Sequence, residues 1–143
     1  EAKARSVAAA YPDALIIGSD QVAVNNGAIL GKPGDHAAAV AQLTAASGRA
    51  VEFLTGLCLY NSGTDRAQVE IVPFTVYFRT LQLAQIERYL QAEQPYQCAG
   101  SFKSEGLGIA LFERLSGEDP NTLIGLPLIR LIRMLESEGV AVI

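Results

Sequence analysis

The 143 residues suit one domain with a real core, and a chain that is half hydrophobic and only 18% charged is too apolar to be disordered. A net charge of −4 and a pI near 4.9 argue against nucleic acid or an anionic membrane as partner, although a few converging Lys and Arg residues can still hold phosphates. With no apolar run of membrane-spanning length, no hydrophobic leader in Glu1-Ala2-Lys3-Ala4-Arg5, and Cys58, Cys98 and His36 lacking disulfide or zinc spacing, the expectation is a cytoplasmic protein with reduced thiols.

Ala2, Ala4, Val7, Ala8 and Tyr11 recur at helical spacing and predict a helix over 1–11, stopped by Pro12-Asp13. No Met and no cap precede it, so an upstream segment is expected. Residues 14–18, Ala-Leu-Ile-Ile-Gly, are a short continuous apolar run, as in a strand buried on both faces. Asn25-Asn26-Gly27 between Gln21–Val24 and Ala28–Leu30 is a hairpin signal. After the loop Gly31-Lys32-Pro33-Gly34, Asp35 suits the N-cap of a helix to about Ala46, with Ala38, Val40, Ala41 and Leu43 partly on one face. Residues 50–60 and 67–79 read as long strands joined by a turn at 61–65, with Phe74, Val76 and Phe78 sharing a face. An amphipathic helix over 83–90 is broken at Gln94-Pro95, and a Gly-rich stretch, 99–108, follows. Residues 109–115 predict a strand, Asp119-Pro120 a turn, 127–137 a last helix and 140–143 a last strand. This pattern is α/β: a single mixed-sheet domain with long antiparallel hairpins, not a doubly wound parallel sheet.

Three segments could carry chemistry. Asp20, in Gly18-Ser19-Asp20-Gln21 at the end of the apolar strand, could face a cleft, bind a divalent metal or activate water. It could equally cap its own backbone in a turn. Lys32 in its Gly-Pro loop could meet a phosphate, yet the loop lacks the full P-loop pattern, and on local sequence alone a plain surface turn is the better reading. In Ala99-Gly100-Ser101-Phe102-Lys103-Ser104-Glu105-Gly106, small residues permit close backbone approach, and Lys103 and Glu105 could read phosphate and base; a solvated loop is the plainer alternative. Arg79, at a strand end, reads as an exposed edge charge.

Taken in order, Glu-Ala-Lys-Ala, Ile-Gly-Ser-Asp-Gln-Val, Leu-Gly-Lys-Pro, Phe-Leu-Thr-Gly, Val-Tyr-Phe-Arg, Ala-Gly-Ser-Phe-Lys-Ser-Glu-Gly and Ile-Gly-Leu-Pro-Leu resemble the Maf family over residues 1 to about 135. The resemblance implies an inosine-triphosphatase-like fold without its N-terminal strand and helix. It also implies cleavage of a nucleoside triphosphate between the α and β phosphates with a divalent cation, magnesium or manganese, and a homodimer. Asp20 matches the catalytic and metal-binding aspartate. Lys3 and Lys32 match phosphate-binding lysines, with Lys103 a weaker third. Gln21 and Glu105 match positions linked to base choice. Ser-Asp-Gln paired with Lys-Ser-Glu-Gly is similar to the branch acting on 7-methyl-GTP, whereas the dTTP/UTP branch carries Ala-Asp-Thr and a Gln-Gly loop. A carboxylate at Glu105 suits a cationic base with two N–H donors.

The family's leading Ser-x-Ser-x-x-Arg-Arg segment and a later Asp-Glu motif have no match, so residues 1–143 are expected to be the larger, C-terminal part of a pyrophosphatase domain. The rivals are a dTTP/UTP or general nucleotide-sanitising enzyme, a non-catalytic nucleotide-binding regulator of cell division, and an inert fragment.

Overall fold

The computed structural model describes residues 1–143. Five strands form one sheet in the order β2-β1-β3-β4-β5: β1 Leu15–Asn25, β2 Ala28–Leu30, β3 Ala50–Asn61, β4 Arg66–Phe78 and β5 Phe112–Gly117. β1 pairs with β2 and β4 with β5 in antiparallel register. β1 and β3 also run antiparallel, since the Ser62 N–H meets the Ala14 carbonyl while Gly56 lies against the Asp20 carbonyl. The helices are α1 Ala2–Arg5, α2 His36–Ala46, α3 Leu83–Glu93, α4 Asn121–Ile124 and α5 Leu128–Ser137. No helix is long and apolar enough to cross a membrane. Contacts gather into two compact units, one of Glu1–Gln21, Thr55–Pro73 and Asp119–Ile143, the other of Val22–Leu54 and Phe74–Glu118.

In the first unit, alternation along β3 sends Leu57 and Leu59 towards Leu131 and Met134 of α5. Cys58 and Tyr60 go to the other face, against Ala4 and Ile16. The short α1 is held by Arg5, whose guanidinium meets Glu1 at 2.6 Å and Asp65 at 2.7 Å and stacks 4.5 Å over the Tyr60 ring.

In the second unit, Asp35 caps α2 by accepting the Ala38 N–H at 2.8 Å, as its position predicts. The buried stripe of α2 is Ala39, Leu43 and Ala46. Of the four apolar positions expected there, only Leu43 is fully buried. α3 carries a Gln82/Gln85 capping box, buries Ile86, Tyr89 and Leu90, and ends at a left-handed Gln94 before Pro95. Phe74, Val76 and Phe78 all point into the core, as their alternation predicts. Phe102 stands edge-to-face against Phe53, Phe78 and Phe112, with ring centroids 5.0–5.5 Å apart.

Four expectations need correction. The helix over 1–11 is only α1 and a 3-10 turn at Ala8–Ala10, because the Ser6 hydroxyl bonds back to the Lys3 carbonyl and competes with the helix. The apolar run at 14–18 and the strand at 21–24 are one strand, β1, and it is half-buried, with Ile17 46% exposed. Residues 107–111 are a 3-10 turn and only β5 is strand, because the Gly106 and Gly108 N–H groups both turn back to the Lys103 carbonyl. Residues 140–143 form no strand; the Val140 N–H closes α5 on Leu135 instead.

Phe102→Ala removes the ring shared by three others and is expected to cost about 3–5 kcal/mol. Urea denaturation of the variant against the parent measures it, and a loss under about 1 kcal/mol would show that the cluster does not anchor this loop.

Candidate functional site

Asp20 sits in the middle of β1, not at a strand end as its sequence setting suggested. The ladder continues through Ser19-Asp20-Gln21 because each flanking side chain finds a fixed partner. Ser19 donates its hydroxyl to the Gly125 carbonyl at 2.7 Å. Gln21 donates its amide to the Thr122 carbonyl at 2.7 Å and to the Thr55 hydroxyl at 2.7 Å. A carbonyl can only accept, so the Gln21 amide nitrogen must face it and both its N–H groups are used. Thr55 then donates its own hydroxyl to the same carbonyl at 3.3 Å.

The segment supplying those two carbonyls is held by a buried carboxylate. Asp119 is 1% exposed. One oxygen accepts the backbone and side-chain N–H of Asn121, both at 2.8 Å, and the other accepts the Ile129 N–H at 2.9 Å. Asp119 thereby fixes the start of α4 and the start of α5, and with them Thr122 and Gly125. Burial raises its carboxyl pKa, but the hydrogen bonds from Ile129 and Asn121 outweigh this and the group lies below its ordinary value.

The Asp20 carboxylate itself is 75% exposed and accepts from Lys3 at 3.2 Å and from the Gln21 backbone N–H at 3.1 Å. Lys3 first, then that N–H, lowers its pKa, so Asp20 is ionised throughout the neutral range. A cleft of about 180 Å³ opens here, bounded by Glu1, Lys3, Gly18, Asp20, Gly56 and Val69. Lys3, Asp20 and Gln21 are thus brought together.

Lys32, Lys103 and Glu105 lie in the second unit, and all three are exposed. The Gly34 N–H donates to the Tyr96 carbonyl at 2.9 Å, which ties the Lys32 loop to the segment after α3. Lys103 donates its backbone N–H to the Tyr89 hydroxyl at 3.1 Å, and Leu107 donates its own to Glu93 at 3.0 Å. Gly108 packs so closely on the Lys103 carbonyl that a Cβ would lie 2.1 Å from it. Burial chiefly raises the Cys98 thiol pKa, and Lys103 acts against it. Arg79 donates to the Ala110 carbonyl at 2.9 Å and braces the turn before β5.

A model of Maf-like proteins matches residues 1–138. The chain belongs to the Maf family. It is 64% identical to a 7-methyl-GTP pyrophosphatase of Pseudomonas savastanoi pv. phaseolicola, covering 98% of this chain and 73% of that protein. It is 63% identical to the enzyme of that description from Alcanivorax borkumensis, over 96% of this chain and 70% of the relative. The corresponding protein of Methylobacillus flagellatus is 62% identical across 100% of this chain and 74% of its own length.

The residues of this Maf chain that sequence reasoning missed are Thr55, Asp119, Thr122 and Gly125. Asp119 ahead of Pro120-Asn121 reads as a turn signal, and the capping of two helices was available from that pattern. The Thr122 and Gly125 acceptors are backbone carbonyls and leave no trace in side-chain type. For a metal, no three His, Cys, Asp or Glu side chains converge. The exposed Asp20 carboxylate is an oxygen donor of the type magnesium or manganese takes, and it is the residue that would hold such an ion.

Because Lys3 holds the Asp20 carboxyl low, Lys3→Ala should move the acid limb of a kcat/KM profile to higher pH, towards the ordinary carboxylate range; an unmoved limb would separate Lys3 from Asp20 ionisation. Asp119 has a folded pKa below its unfolded one, so its stabilisation is present above about pH 4 and fades as pH falls through the folded value. Asp119→Asn should therefore lose about 1–3 kcal/mol at pH 7, with the gap to the parent narrowing at about pH 3 in paired urea titrations.

Proposed function

We infer that the chain hydrolyses 7-methyl-GTP to its nucleoside monophosphate and pyrophosphate. The observation carrying this is 62–64% identity to 7-methyl-GTP pyrophosphatases along nearly the whole chain. It is joined by an ionised, exposed Asp20 beside a cationic Lys3. Water adds to the α phosphorus, the bond to the α–β bridging oxygen breaks, and the oxygen leaves with pyrophosphate. Asp20 orients that water and accepts its proton. Its low pKa makes it a weak base, so positioning and charge carry most of the acceleration.

Lys3 serves twice, holding Asp20 ionised and offering a phosphate oxygen the one N–H left over from Asp20 and the Ser19 carbonyl. Lys32 offsets charge along the triphosphate, and Lys103, in the same unit, is a weaker second candidate for that role. Asp20 would hold magnesium or manganese, and such an ion, when bound, offsets phosphate charge and lowers the pKa of a water. Glu105 is exposed, its Oε2 touched only by the Ser104 hydroxyl at 3.3 Å, which leaves acceptor capacity for the N1–H and N2–H of a cationic 7-methylguanine.

The test is pyrophosphate release by the natural full-length chain with 7-methyl-GTP, GTP, dTTP, UTP and CTP. Asp20→Asn should keep the fold and lose at least about 10²-fold in kcat. Glu105→Gln should narrow the 7-methyl-GTP over GTP preference by about tenfold or more, the worth of a charge-assisted hydrogen bond. A parent enzyme that prefers dTTP or UTP would keep the family and sink the base assignment; tight nucleotide binding without turnover would favour a regulator.

A further inference from the structure

The loop carrying Lys32 and the loop carrying Glu105 meet on one side chain. Gln42, on α2, donates its amide N–H to the Gly31 carbonyl at 3.1 Å and accepts the Ser101 hydroxyl at 2.5 Å. The direction is fixed: the Gly31 carbonyl can only accept, so the nitrogen faces Gly31 and the oxygen faces Ser101.

Ser101 is fully buried, at 0% exposure, and its backbone adopts φ +65°, the left-handed region that disfavours a side chain. Gly100 before it is also left-handed, at φ +78°. Glycine would satisfy the backbone at 101 without strain. Serine adds a hydroxyl, and that hydroxyl goes to Gln42. Immediately beyond, Phe102 enters the aromatic cluster, so Ser101 is the polar tie between the start of the Lys103–Glu105 loop and α2. The Lys103 N–H is held as well by the Tyr89 hydroxyl of α3, and the far end of that loop by Glu93, which accepts the Leu107 N–H. On the other side, Lys32 lies between two anchored glycines, Gly31 held by Gln42 and Gly34 held by the Tyr96 carbonyl.

We propose that Gln42, acting through Ser101, is a positioning residue that sets Lys32 and Glu105 in register for one nucleoside triphosphate, so that phosphate grip and base choice are coupled. This rests on the reading that Lys32 and Glu105 contact the nucleotide. The two halves of the bridge are separable by chemistry. Gln42→Glu still accepts the Ser101 hydroxyl but cannot donate to Gly31, so it frees the phosphate half alone. Ser101→Gly suits the left-handed backbone and removes the hydroxymethyl group that reaches Gln42, so it frees the base half alone. Gln42→Leu breaks both.

The experiment measures kcat and KM for 7-methyl-GTP and GTP, with Tm, in the full-length enzyme. Ser101→Gly should melt no lower than the parent yet lose about tenfold in the 7-methyl-GTP to GTP ratio of kcat/KM, mostly through KM, the scale of one well-formed hydrogen bond. Gln42→Glu should raise KM for both nucleotides alike with the ratio close to the parent's. Gln42→Leu should show both effects. Lys32→Ala and Glu105→Gln are the references. If they change KM and the ratio while Ser101→Gly and Gln42→Leu leave both within about twofold, the coupling is refuted and Gln42 is structural only. A lower Tm for Gln42→Leu with unchanged kinetics in the folded enzyme would refute it equally. If the references are themselves silent, the underlying reading of Lys32 and Glu105 fails, and this inference falls with it.

Discussion

A carboxylate buried to 1% exposure must be compensated, and Asp119 is compensated entirely by N–H groups at the starts of two helices. That requirement fixes the path from 119 to 129 more tightly than any apolar contact could, because hydrogen bonds at 2.8–2.9 Å tolerate little displacement. The carbonyls of Thr122 and Gly125 are consequently presented at set positions. Ser19 and Gln21 reach them from either side of Asp20, so the residues flanking the exposed carboxylate are immobilised while Asp20 itself stays free for a ligand. A site on a strand, braced by a capped turn, is held more precisely than the same residues on a loop.

Electrostatics in the site follow the same division. The Lys3–Asp20 pair is too exposed to add much stability. Its effect is on protonation, keeping Asp20 anionic. Stability comes from elsewhere in the first unit: Leu57 and Leu59 against α5, and the Arg5 clamp that keeps α1, and with it Lys3, against the turn at Asp65.

The features legible in the sequence are those in which a side chain acts on its own neighbourhood. Asp35 as a cap, Asn26-Gly27 as a left-handed turn, and Phe74, Val76 and Phe78 as one face all appear in the structure. Asp20, Lys3 and Gln21 were legible as candidates through motif order, and they do lie side by side. The features that were not legible depend on backbone atoms or on distant pairing. The turn from Lys103 to Gly108 uses up residues that pattern assigns to a strand, because one carbonyl takes two N–H groups. The strand expected over 140–143 fails because closing α5 with the Val140 N–H competes with any sheet partner. Ser101 illustrates the limit most sharply: a left-handed serine has no signature in composition or period.

Gln21, a position that the family resemblance ties to base choice, is occupied by the protein itself. Its amide spends both N–H groups on Thr55 and Thr122, so it has no donor left for a guanine carbonyl unless those bonds break. Breaking them would give up two 2.7 Å hydrogen bonds beside the buried Thr55 and Thr122 to gain one to a base, a net loss even though the Thr122 carbonyl keeps the Gly125 N–H at 3.0 Å and the Thr55 hydroxyl at 3.3 Å. What Gln21 controls is therefore the spacing between β1 and the 119–126 segment. A threonine there, as in the branch resembling dTTP/UTP enzymes, is two atoms shorter and could not bridge the same gap. The segment would settle closer to the strand or lose its anchor, and either change reshapes the wall beside Asp20. On the proposed function, the direct contact to a cationic base would fall to a free acceptor such as Glu105, while the bonds of Gln21 fix the strand around Asp20.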